Sequence, residues 1–107
     1  MAIVSRISAI LLCTFAVACA CAEQKAAGLY KTNCIACHGA TGEADTPAGK
    51  ALNATSFSTS ESLNKSDGEL AAIIKNGKDK MPPWSEVLTD DQVRDIIAYI
   101  RTLKREK

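Results

Sequence analysis

Cys34-Ile35-Ala36-Cys37-His38-Gly39 is the stretch around which the 107-residue chain is read. Two thiols three positions apart, followed at once by an imidazole, form the attachment signature of a c-type haem. Cysteines about one helical turn apart can each close a thioether bond to one vinyl group of the macrocycle. The next residue then presents an imidazole nitrogen to the iron. A Cys-x-x-Cys pair also serves redox dithiols and half-sites for zinc. The first needs a strand-helix-strand setting, which the flanking sequence lacks. The second needs another ligand pair, and no Cys or His follows His38. The motif predicts one covalent haem c on Cys34 and Cys37, with His38 as an iron ligand.

Upstream, residues 1–22 read as an export signal. Arg6 is their only charge, and the apolar run from Ile7 to Ala22 is shorter than the roughly 20 residues a membrane-spanning helix needs. Ala20-Cys21-Ala22 suits a signal peptidase, so the haem domain is expected over 23–107, in the periplasm or otherwise exported. An alternative is lipidation at Cys19 or Cys21, which would anchor the protein to a membrane. Val17-Ala18-Cys19 is similar to the end of a lipoprotein signal, while Ala16 departs from the Leu that pattern prefers. Cleavage after Ala22 leaves Cys34 and Cys37 alone, both used by haem, with no disulfide framework. It also leaves 12 basic residues against 12 acidic ones, a balance that argues against nucleic-acid binding. So small a domain buries a thin core, and a macrocycle bonded to it would serve as a staple.

Downstream and flanking elements all favour helix. Residues 24–33 carry Ala26, Ala27, Leu29 and Tyr30, with Gly28 marking either a close approach of another helix or simple tolerance of a glycine. Residues 39–58 are rich in Gly, Ser and Thr and are expected to be a loop wrapping one haem face. Ser66-Asp67-Gly68-Glu69 is a capping box, followed by Leu70, Ala71, Ile73 and Ile74 at helical spacing. Asn76-Gly77 should end that helix as a left-handed cap. Lys78 to Trp84 is held out of helix by Pro82 and Pro83. Thr89-Asp90-Asp91-Gln92 is a second capping box, and Val93, Ile96, Ile97, Ile100 and Leu103 make one apolar stripe behind it. Asp90 and Asp91 lie at the positive end of this helix dipole, with Arg101, Lys104 and Arg105 at the negative end. The chain therefore reads as all-α.

An iron held by one His has a sixth position to fill. His38 is the only histidine, and Met81 is the only methionine outside the leader. A methionine between a glycine-ended helix and a proline pair suits an axial thioether; filling a gap in the core is its bland alternative.

Taken in order, Gly28-x-Tyr30, Cys34-Ile35-Ala36-Cys37-His38-Gly39, Asn76-Gly77, Met81-Pro82 and Ala98-Tyr99-Ile100 resemble a bacterial class I, monohaem cytochrome c, over residues 24–104. The resemblance implies three to four helices around one haem, with the N- and C-terminal helices crossing where Gly28 meets the region of Tyr99. It implies a proline carbonyl bonded to the proximal imidazole, for which Pro47 is the available residue, and an aromatic beside the haem, for which Trp84 stands. It further implies a monomeric one-electron carrier, not an enzyme, with His38 and Met81 as axial ligands, working between a redox protein donor and acceptor. Lys75, Lys78 and Lys80 lie where they could steer an acidic partner. Two other classes stay open: a haem enzyme or gas sensor with a labile sixth ligand, and a colourless dithiol oxidoreductase.

Overall fold

The structure is a computed structural model that describes residues 21–103. The leader up to residue 20, with Cys19, and the basic residues Lys104 and Arg105 lie outside them. Six helices make up the regular structure of these residues. The first, α1, covers 21–33. It is followed by α2 (Ile35–His38), α3 (Pro47–Ala51), α4 (Ser60–Asn64), α5 (Asp67–Asn76) and α6 (Asp90–Leu103). Among the described residues there is no strand, only an isolated antiparallel bridge between Lys78 and Met81.

The apolar stripe of α6 is the backbone of the core. Val93, Ile96 and Ile97 are almost fully buried and cluster with Leu88 and with Ile74 of α5. Burying each such side chain is worth about 1.5–3 kcal/mol. Both capping boxes form as the sequence predicts. Glu69 N–H donates to Ser66 Oγ at 3.1 Å and Ser66 N–H to Glu69 Oε2 at 2.7 Å. Thr89 N–H donates to Gln92 Oε1 at 2.9 Å, and Gln92 N–H to Thr89 Oγ1 at 3.2 Å. Two ion pairs tie the ends of α5 and α6 together, Lys75 to Asp90 at 2.8 Å and Arg101 to Asp67 at 2.6 Å.

The expectation for Gly28 is overturned. This residue is exposed, and a Cβ added there would have nothing within 4 Å. The terminal helices meet instead on the next face of α1. Ala26 and Tyr30, one turn apart, are buried, Leu29 packs on the core cluster, and the Tyr30 and Tyr99 rings lie 5.4 Å apart. Nor is 39–58 simply loop. Thr46 accepts the Gly49 N–H at 2.9 Å, and Pro47 opens α3 as its first residue. That cap, with α4 behind Thr59, raises the helix count above the three to four expected. Gly77 also departs from expectation. Its φ is positive, but ψ of 166° makes it extended rather than left-handed helical.

Candidate functional site

α1 runs almost directly into α2, and this sets the motif. Cys34 N–H still donates to Tyr30 O at 2.8 Å, and His38 N–H to Cys34 O at 3.0 Å. Cys34, Cys37 and His38 therefore ride on one helical turn. The far end of that turn is pinned by the buried Tyr30, whose hydroxyl donates to Gly39 O at 2.6 Å. Thr46 ties the following loop back onto α2, with its hydroxyl 2.6 Å from Ala36 O and 3.2 Å from Cys37 O.

His38 Nδ1 lies 3.1 Å from the Thr55 carbonyl oxygen. A carbonyl only accepts, so Nδ1 carries the proton and Nε2 keeps its lone pair for a metal. Burial lowers the His38 pKa from its ordinary value, with the Thr55 bond pulling the other way. The neutral, ligating form is thereby favoured. The partner of the imidazole is thus Thr55 and not Pro47. Pro47 is exposed at the start of α3, where its carbonyl belongs to that helix; the chain returns to His38 only after α3 has ended. Phe57 lies against the same imidazole, with ring centroids 4.7 Å apart and planes 23° from parallel.

Met81 lies in the segment between α5 and α6. Lys78 N–H donates to Met81 O at 3.1 Å and Met81 N–H to Lys78 O at 2.9 Å, closing a tight turn. Trp84 N–H then caps α5 by donating to Ile74 O at 2.9 Å. Both Met81 and Trp84 pack on the core cluster.

These groups converge on one cavity of about 380 Å³, lined by Cys34, Cys37, His38, Met81, Trp84 and Phe57. Ile74 of α5 with Ile96 and Ile100 of α6 give it an apolar wall, and Lys65, Lys78, Lys80 and Arg101 border it. The size lies within the range of pockets that hold a small molecule or cofactor. An apolar interior lined also by two thiols, a neutral imidazole and a thioether fits a haem. It does not fit a bare metal ion, because no three His, Cys, Asp or Glu side chains among the described residues converge on a common point. A working dithiol is disfavoured too. Burial pushes the Cys34 thiol up to about 11, whereas a redox dithiol needs an accessible thiolate.

The sequence therefore anticipates Cys34, Cys37, His38, Met81 and Trp84 as cavity residues. It misses Thr55 and Phe57. The one signal for Phe57 is a lone aromatic among Ser and Thr residues, at Ser56-Phe57-Ser58. Thr55 acts through a backbone oxygen and has no side-chain signature.

Comparison with known proteins identifies the family. Residues 22–100 match the family described as "Cytochrome C oxidase, cbb3-type, subunit III". The chain is 31% identical to the cbb3-type cytochrome c oxidase subunit CcoP of Azospirillum brasilense, over 78% of this chain and 29% of that protein. It thus spans less than a third of the CcoP length. It is 32% identical to cytochrome c6 of Leptolyngbya boryana, over 74% of this chain and 91% of the relative. The solved structure of the KustC0563 c-type cytochrome superposes with a TM-score of 0.66 at 31% identity, covering 73% of this chain and 95% of that one. The chain belongs to the cytochrome c family, as an all-α electron-transfer protein with covalently bound haem c.

Proposed function

We propose that this protein is an exported single-haem carrier of one electron at a time, with His38 and Met81 as the axial ligands. The observation that carries the reading is the convergence of Cys34, Cys37, His38 and Met81 on a single apolar cavity. When bound there, haem supplies the ferric–ferrous couple. Cys34 and Cys37 would each add a thiol across one vinyl group, forming the two thioether bonds. His38 offers the Nε2 lone pair while Nδ1–H stays on Thr55, a bond that makes a ligating imidazole more basic. The Met81 sulfur is a soft donor that favours ferrous iron, so it raises the potential. Apolar side chains of α5 and α6 exclude water and favour the less charged state of the site.

Occupying both axial positions leaves none for oxygen or peroxide, which supports a carrier over an enzyme. Similarity across nearly the whole length of a cytochrome c6 supports the same reading. Lys78 and Lys80 are exposed beside the cavity and would attract an acidic redox partner. Lys75 is less suited to that role, being paired with Asp90. Residues 1–22 would direct export, with the mature protein soluble and monomeric from Glu23; lipid on Cys19 or Cys21 is the competing arrangement. Among the described residues no helix is long and apolar enough to cross a membrane.

The test is on the purified, haem-loaded protein. Its mass should exceed that of the mature polypeptide by one haem that resists acid-acetone extraction. Met81→Ala should keep that haem, lose the weak far-red sulfur-to-iron band, lower the potential and bind carbon monoxide when reduced. A variant with the wild-type band and potential would remove Met81 from the site, leaving Lys78 or Lys80 as the next donor to examine.

A further inference from the structure

A single hydrogen bond holds an imidazole along one line. The bond from His38 Nδ1 to Thr55 O aims the ring but leaves it free to swing about the N–H···O axis. Thr55 is moreover exposed, so water competes for its carbonyl. A second restraint is present in Phe57, whose ring is stacked on the imidazole at 4.7 Å and 23°. A stacked face opposes the very swing that the hydrogen bond permits, because swinging would drive one ring edge into the other ring.

Phe57 is itself firmly placed. Its N–H donates to Gly42 O at 2.8 Å. Gly42 has φ of 77°, and a Cβ there would lie 2.5 Å from Phe57 Cδ2, so this position admits Phe57 only as glycine. On its other side Phe57 meets the buried Tyr30 edge-on, with centroids 6.4 Å apart. The next residue, Ser58, donates its hydroxyl to Glu43. Phe57 is thus braced by both flanks of the motif that carries His38.

We propose that Phe57 is a positioning residue for His38: its ring fixes the plane of the imidazole while the Thr55 carbonyl fixes its direction, together setting how the ligand meets the iron. This rests on His38 being the proximal ligand. The plane of an axial imidazole decides which iron dπ orbital it raises. It therefore sets how unpaired spin spreads over the four sides of a ferric macrocycle, a property that loss of packing alone does not move.

The experiment uses nuclear magnetic resonance and electron paramagnetic resonance of the haem-loaded full protein. In the reduced, diamagnetic wild type, the Phe57 ring protons should show Overhauser contacts to the His38 ring. In the ferric state, Phe57→Leu should change the spread of the four haem methyl shifts and the g anisotropy, and Phe57→Tyr should keep both. A Phe57→Leu protein with the wild-type methyl pattern overturns the proposal. So do missing Phe57–His38 contacts in the reduced wild type, which decides the matter even if the leucine variant fails to mature. Absence of iron-shifted His38 ring protons in the ferric wild type overturns the ligand assignment as well, and so separates the two failures.

Discussion

Replacing Gly77 by alanine is expected to disturb the site through backbone geometry alone. Gly77 has φ of 77° and ψ of 166°, a region essentially reserved for glycine, where another residue costs about 1–3 kcal/mol. The new Cβ would also stand 2.7 Å from Met81 O, 3.0 Å from Pro83 N and 3.1 Å from Pro82 C. All three are backbone atoms, so no side-chain rotation relieves the overlap. The loop cannot yield easily, because it is closed by the Lys78–Met81 bridge and stiffened by two prolines. Strain and overlap together should cost about 2–4 kcal/mol. At about 4–8 °C per kcal/mol for a domain of this size, the melting temperature should drop by roughly 10–30 °C. The far-red band should weaken as Met81 is displaced. Gly28→Ala is the matched control. That position is exposed, helical and clear of neighbours, so the same added methyl should stabilise by about 0.5–1 kcal/mol. Thermal melts of the ferric haem-loaded proteins, followed in the Soret and far-red regions, read both signs. A Gly77→Ala protein that melts with the wild type and keeps its band would refute the claim that this turn holds Met81.

Ser66→Ala should remove one half of the α5 capping box and destabilise by about 1 kcal/mol, measured by denaturant unfolding of the holoprotein. Burial holds the Tyr30 phenol above its ordinary pKa. The folded state therefore favours the neutral ring, and that stability is complete below about pH 10 and declines as pH rises above it. Melts across that alkaline range should show a shallower decline in Tyr30→Phe than in the wild type. Sequencing of the exported protein should give Glu23 as its first residue; a lipidated Cys19 or Cys21 in the membrane fraction would replace the soluble form with an anchored one.

What is legible in the sequence is what is decided locally. The attachment motif is complete within five residues, both capping boxes lie within four, and the α6 stripe needs only helical periodicity. Both capping boxes and the stripe appear in the structure at the predicted positions, and Cys34, Cys37 and His38 share one helical turn. The misses share a different cause. The His38–Thr55 bond joins residues 17 apart through a backbone oxygen, and any residue type can present a carbonyl there. The family resemblance implies Pro47 for this role, although that residue opens α3 and the bond goes to Thr55 instead. Gly28 misleads because a glycine in a helix signals close approach and mere tolerance equally well. Its neighbours Ala26 and Tyr30 make the contact instead. α3 is missed because the glycines of 39–58 outweigh the cap-and-proline start at Thr46-Pro47.

Buried side chains are distributed unevenly, and covalent attachment on the side of α2 and α3 would offset that imbalance. Ile74, Leu88, Val93, Ile96 and Ile97 form a cluster on the α5–α6 side, reinforced by Leu29 from α1. Around α2 and α3 the buried residues are Gly39, Gly42, Ala44 and Gly49, which offer almost no apolar surface. That half is organised by hydrogen bonds: Tyr30 to Gly39, Thr46 to Ala36 and Phe57 to Gly42. Such bonds have a modest net value each when water can replace them. The α5–α6 wall gains by burying a large apolar surface against any flat hydrophobe, whereas the α2–α3 side has little to contribute by burial. Bonds from Cys34 and Cys37 would join the poorly buried half to the well-buried half through the cofactor between them. The same division would account for the two proposed ligands. A rigid imidazole, oriented by backbone and stacking, comes from the hydrogen-bonded half, and a thioether held in a tight turn comes from the half that packs.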